Sequence, residues 1–265
     1  MADDTQTTTP ADSAAPAAMK SSSDEVKRRR GKLRHKPSRR TRENLAKAPA
    51  EALDPIDAIN AIKGFKAPKF DQSVEVCLFL GVDPRHADQL VRGSVSLPKG
   101  IGKSKRVVAF CDDAIVDEAT AAGAVEAGGA SLVKKIEGGW MDFDVAVASP
   151  DMMRVISKLG RTLGPKGLMP SPKAGTVTKN VAEAVKEYAA GKVEYRTDKA
   201  GNVHAIIGKM SFPAADLLEN YEHFVKTIED ARPSAAKGQY VKKVAISGTM
   251  TPGVEVTYTS AEAEA

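Results

Sequence analysis

The chain has 265 residues, 42% of them apolar, which supports a packed core and excludes a wholly disordered protein. No run approaches the roughly 20 consecutive apolar residues of a membrane-spanning helix, and the start, Met-Ala-Asp-Asp-Thr, lacks the apolar segment of a secretory signal. The net charge of +5 is uneven: residues 1–50 carry 12 of the 39 Lys/Arg against 6 of the 34 Asp/Glu, which leaves 27 against 28 in the rest. The body therefore cannot bind nucleic acid by bulk charge and would need local patches and shape.

Residues 1–25 are rich in Ala, Thr, Ser, Asp and Pro and cannot bury enough surface to fold alone. Within 26–42 there are ten Lys/Arg and no acid; such a run repels itself, stays extended and seeks polyanions. The expectation for 1–50 is a disordered basic N-terminal extension.

The body opens on a helix signal. Asp54 can cap, Pro55 suits a first turn, and Ile56, Ile59 and Ile62 share a face, with Pro68 ending the helix. Residues 73–80 alternate, with Val74, Val76, Leu78 and Leu80 on one side and Glu75, Cys77 and Phe79 on the other, the pattern of a strand.

From about residue 99 the rhythm changes. Short apolar runs at 106–111 and 143–148 alternate with helical patterns through Glu118 and Ala122, then Leu132, Val133 and Ile136, then Met152, Val155, Ile156 and Leu159. Strands alternating with helices predict a parallel sheet with helical crossovers. A helix from Asn180 to Gly191 closes the section. After Gly191 alternation returns at Val193 and Tyr195, a hairpin loop spans 198–202, and Val203, Ala205 and Ile207 form the return strand. A long amphipathic helix carries Leu217, Leu218, Tyr221, Phe224, Val225 and Ile228, and strands at 240–247 and 254–258 follow.

Residues 51–98 are too few for a core of their own. The expectation is that 51–98 and 191–258 complete one discontinuous α+β domain, with 99–190 as an inserted α/β domain and 259–265 as an acidic C-terminal tail. Two chain crossings would act as a hinge.

Cys77 and Cys111 lie in apolar runs, which points to free thiols in a reducing compartment, although a spatial pairing of Cys77 with His86 remains open. None of the four histidines has metal-ligand spacing, so no metal is expected. The densest unusual segment, 158–176, holds Gly160, Gly164, Gly167 and Gly175 with Pro165, Pro170 and Pro172. A pre-shaped loop is expected, but the spacing of a phosphate-binding loop is absent, and Pro170 and Pro172 forbid the helix that should follow. The segment 100–106 precedes its strand, whereas a dinucleotide fingerprint follows one. No nucleophile elbow or other catalytic set appears. A nucleotide-dependent enzyme using the α/β section is the alternative, and nucleotide titration discriminates it.

Several segments read together: Lys69-Phe-Asp71, Leu80-Gly-Val-Asp-Pro-Arg85, Gln89-Leu-Val-Arg-Gly93, Gly139-Trp-Met-Asp-Phe-Asp144, Leu163-Gly-Pro-Lys-Gly-Leu-Met-Pro170, Asp198-Lys199, Ser211-Phe-Pro213 and Gly248-Thr-Met250. Over roughly residues 51–258 the chain closely resembles the bacterial L-one family of large-subunit ribosomal proteins. The resemblance implies an α+β discontinuous domain interrupted by an inserted α/β Rossmann-like three-layer domain. It further implies binding to large-subunit ribosomal RNA in the mobile stalk, help in releasing deacylated tRNA from the E site, and repression of the protein's own messenger RNA. The implied place is the cytoplasm, on the ribosome, with no enzyme activity, cofactor, membrane or obligate homo-oligomer. Carried over by position, the RNA-binding residues are Lys69, Phe70, Ser73, Arg85, Arg196, Asp198, Lys199, Ser211, Thr249 and Met250. Thr251 stands where the family usually has Gly, and the N-terminal extension is not typical of the family.

The physics agrees with that surface. Folded RNA is read by shape and by 2′-hydroxyl and sugar contacts, which the hydroxyls of Ser73, Ser211 and Thr249 suit. Lys69, Arg196 and Lys199 supply the salt-dependent phosphate attraction.

Overall fold

The computed structural model describes residues 37–258. The extension upstream of residue 37 and the tail 259–265 lie outside the described residues.

A four-stranded antiparallel sheet is built around β1 (Ser73–Leu80), the strand read from its alternation. Val74, Val76, Leu78 and Leu80 are all buried and share one face, as the period of two requires. The neighbours are β7 (Asn202–Lys209) on one side and β8 (Val241–Gly248) on the other, with β9 (Val254–Val256) beyond β8. Helix α2 (Pro55–Lys63) and the 17-residue helix α8 (Ala214–Asp230) contribute to the same core as these strands. In α8, Leu217, Tyr221, Phe224, Val225 and Ile228 point inward. In α2, Ile59 and Ile62 are buried, but Ile56 is 37% exposed, so the apolar face begins one turn later than the sequence pattern implied. Asp54 makes no side-chain cap; its carboxylate instead accepts from the Thr257 hydroxyl at 3.0 Å. The helix stops at Lys63 and Gly64, before Pro68.

One hydrophobic core runs through residues 58–101 and 193–256. The two stretches also meet in a small sheet, where β2 (Arg92–Val95) pairs antiparallel with β6 (Val193–Arg196). Gly93 lies opposite Tyr195, and a Cβ there would come within 2.6 Å of the Tyr195 hydroxyl. Glycine in this strand therefore makes room for a buried ring.

Between the two stretches, β3 (Val107–Phe110) lies between β4 (Glu126–Gly128) and β5 (Val145–Ala148) in a parallel sheet. Alternation sends Val107, Ala109 and Cys111 to one face, against Val181, Ala184, Val185 and Tyr188 of α7 (Val181–Ala190). It sends Val108 and Phe110 to the other face, against Leu132, Val133 and Ile136 of α4 (Ala130–Glu137), Ile156 of α5 (Met153–Ile156), Leu159, and Leu163 of α6 (Gly160–Leu163). Helix α3 (Val116–Ala121) makes the first crossover. Both faces are covered, so the strands read as continuous apolar runs.

The expectation for residues 39–50 is corrected. Arg39–Lys47 form a helix, α1, rather than an extended arm. Its one buried residue is Asn44, whose amide donates to the Lys66 carbonyl at 3.2 Å and accepts from the Lys66 N–H at 3.0 Å. Tertiary pairing, not an apolar face, holds this helix.

Candidate nucleic-acid interface

In the order β7-β1-β8, antiparallel pairing puts the start of β1 and the ends of β7 and β8 at one end of the sheet. Three segments meet there: 69–73, 209–212 and 248–251. Thr249 joins the first and third. Its hydroxyl accepts from the Ser73 N–H at 3.2 Å and donates to the Ser73 carbonyl at 3.3 Å, and its own N–H donates to that carbonyl at 3.1 Å. Gln72, only 1% exposed, accepts from the Met250 N–H through its side chain at 2.8 Å and from the Met210 N–H through its carbonyl at 2.9 Å. Asp71 accepts from the Ser211 hydroxyl at 2.9 Å and from the Ser211 N–H at 3.2 Å. Lys209 donates to the Ser73 hydroxyl at 2.9 Å.

Such a network fixes backbone while leaving selected side chains outside. Phe70 and Met250 are each 50% exposed, and Lys69 and Ser211 are exposed as well. Phe70 is therefore not a core residue. Thr251 folds back: its hydroxyl accepts from the Gly248 N–H at 2.8 Å, so the side chain that replaces Gly closes the turn.

The structure brings together six of the ten sequence-derived residues: Lys69, Phe70, Ser73, Ser211, Thr249 and Met250. The remaining four, Arg85, Arg196, Asp198 and Lys199, do not adjoin them. These line a cleft with Leu90 at the other end of β1, where Leu80 donates to the Gly201 carbonyl at 3.0 Å. An eight-residue strand separates the two ends by about 23 Å. Asp198 is an organiser of its loop: its carboxylate accepts from the N–H groups of Ala200 and Asn202, each at 2.8 Å. Those bonds, the one from the Asn202 backbone foremost, hold its carboxyl below the ordinary range. Arg196 lies opposite Arg92 in the β2–β6 pair, two exposed cations side by side. Like charges in register repel, so this pair suits an anion.

Sequence reasoning did not find Gln72, Lys209 or Arg92. Gln72 carries no periodic signal, because its role is to accept a hydrogen bond from a segment 178 residues away. Cys77 lies across from His204, not His86, and burial pushes its thiol up, which disfavours the reactive thiolate. Neither cysteine is in a disulfide. No cluster of three metal-ligating side chains occurs among the described residues, and none of their helices is long and apolar enough to cross a membrane.

The loop 158–176 is braced internally. Thr176 accepts from the Ser171 N–H at 2.8 Å and the Tyr188 hydroxyl donates to the Ala174 carbonyl at 2.8 Å. Gly167 and Gly175 take φ of 72° and 73°, a conformation that favours glycine.

With this geometry in place, the sequence model of the Ribosomal protein L1p/L10e family is found to match residues 62–252. The matched span begins in α2 and ends just past the Thr249–Thr251 turn, so it takes in both ends of the sheet.

Proposed function

The chain belongs to the Ribosomal protein L1p/L10e family, and from that premise we propose that the end of the sheet bearing Phe70 and Met250 is its ribosomal RNA contact. Membership carries a structural role in the large ribosomal subunit and binding of ribosomal RNA. The observation behind the choice of face is the pair of half-exposed apolar side chains, Phe70 and Met250, on backbone pinned by Gln72 and Thr249. A rigid, nearly neutral surface with apolar tips and hydroxyls suits sugars and bases of a folded RNA. Lys69 adds the phosphate attraction. Arg85, Arg196 and Lys199, at the far end, would meet a separate stretch of backbone, and Asp198 would shape the loop that presents Lys199.

The finer reading follows the same line. The parallel-sheet section is a Rossmann-like domain inserted into the discontinuous one, and the crossings near 96–106 and 190–193 are its hinge. In the mobile stalk, that hinge lets the protein help deacylated tRNA leave the E site. The same RNA surface, meeting a similar fold in its own messenger, represses translation. No catalytic step or cofactor enters this reading, and its place is the cytoplasm.

The test is Phe70→Ala and Met250→Ala, assayed by filter binding to a transcript of the large-subunit stalk RNA. Each should lose about 1–3 kcal/mol of binding, the scale of one apolar or stacking contact with a base. Because both side chains are half-exposed, the melting temperature should hardly move. Unchanged affinity in both variants moves the interface elsewhere.

A further inference from the structure

Helix α1 lies outside the family match, which begins at residue 62, and it has no apolar reason to exist. Leu45 is 53% exposed and the only buried side chain is polar. A helix polar all round needs some other support. Here the support is Asn44, 1% exposed, paired with both the N–H and the carbonyl of Lys66. Glu43 adds a second tie, accepting from Lys66 Nζ at 3.2 Å and from Arg39 Nε at 2.9 Å. The Arg39 bond foremost holds the Glu43 carboxyl below its usual range.

The latch has a direction. Residues 39 and 42 are three apart and so share a helix face, while Asn44 lies on the opposite one. Arg39 and Arg42 are exposed. The peptide that Asn44 grips is three residues before Lys69, so the helix is fastened to the segment that carries Lys69 and Phe70. One N–H of Arg40, at Nε, is buried without a partner among the described residues.

We propose that helix Arg39–Lys47 is an added part of the RNA interface, latched by Asn44 so that Arg39 and Arg42 meet phosphates of the RNA held at the Phe70–Met250 face. This rests on the reading of that face as the RNA contact. An RNA backbone is favoured over a membrane because Leu45 is the only large apolar side chain that the helix exposes. It is favoured over an acidic protein because the helix leads directly out of the acid-free basic run at 26–42, a charge density matched to a polyphosphate.

The experiment uses the full chain, a stalk RNA transcript and a series of KCl concentrations. The double variant Arg39→Ala/Arg42→Ala should flatten the plot of log affinity against log salt by about 1.4–1.8, two phosphate contacts' worth. Asn44→Ala should speed hydrogen exchange across 39–47 and flatten the same plot in part, with the melting temperature of the body unchanged. The control Lys173→Ala/Lys179→Ala, two exposed cations of the parallel-sheet section, should leave the slope alone. A wild-type slope in the double variant, or an equal drop in the control, overturns the proposal. So does retention of exchange protection in Asn44→Ala, or displacement of the RNA by polyglutamate from wild type but not from the double variant. Loss of binding in Phe70→Ala with a wild-type slope in the double variant rejects the helix alone. Unaltered binding in Phe70→Ala and Met250→Ala rejects the face itself.

Discussion

Thr249 turns its hydroxyl onto the Ser73 peptide, where it both accepts and donates. The side chain is thus a brace for the turn, and any effect on RNA passes through Met250 beside it. Thr249→Val keeps the shape and removes both bonds, leaving the Ser73 N–H without its acceptor. The expected cost is about 1 kcal/mol of stability, at the low end for an unmet group because solvent reaches this site, with a further loss of RNA affinity as the 248–251 turn loosens. Thermal melts and filter binding on one preparation check both. Full affinity with lowered stability would show that Met250 keeps its place without the brace. The sequence made Thr249 legible through its motif, but not Gln72, whose polar side chain is buried to hold the Met250 N–H. A single buried amide has no neighbours in sequence that announce its partner.

Among the elements, α8 was the most readable, since Leu217, Tyr221, Phe224, Val225 and Ile228 follow the helical period. In its middle sits Asn220, fully buried. It donates to the Ile207 carbonyl at 2.8 Å and to the Gly100 carbonyl at 3.0 Å, and accepts from the Lys99 N–H at 3.0 Å. One amide therefore ties the helix to β7 and to the loop where the chain leaves the antiparallel sheet. Asn220→Ala would strand the Lys99 N–H and two carbonyls, and about 2–3 kcal/mol of stability should go. Asn220→Leu should lose as much despite better volume, because shape does not replace the bonds. A melting temperature equal to wild type in either variant would mean that water enters and satisfies the loop. Periodicity is also blind to α1. Its Arg39–Glu43 pair is a weak helix signal, and the decisive contact, Asn44 with Lys66, is tertiary.

For the whole molecule, most strands were legible, but the short β2 and β4 were not, nor was strand order, and order decides which residues meet. It gathers Ser73, Ser211 and Thr249 and sends Arg196 and Lys199 to the far end of β1. It also opens a cleft of about 530 Å³ between the four-stranded sheet and the parallel-sheet section, lined by Glu75, His204 and Ile206 of the first, by Asp144, Leu168 and Met169 of the second, and by Lys105 and Glu194 near the chain crossings. Lys105 reaches in to donate to the Lys192 carbonyl at 2.6 Å, and burial holds its amine below the ordinary lysine range. Glu194 lines the same cleft but is itself exposed to solvent, which damps any shift in its titration. Desolvation pushes its carboxyl above 4.5, while attraction to Lys105 and Arg92 only partly opposes this. A carboxyl whose folded value is raised favours the fold while it is protonated. That advantage is whole below pH 4.5 and fades as pH rises through the raised value, so at neutral pH the ionised group opposes folding. Glu194→Gln removes the titration. Its melting temperature should match wild type near pH 4 and move above it as pH approaches 7. A difference that stays flat across that range, or favours Glu194 at pH 7, would show that attraction to Lys105 and Arg92 outweighs the loss of water in the cleft.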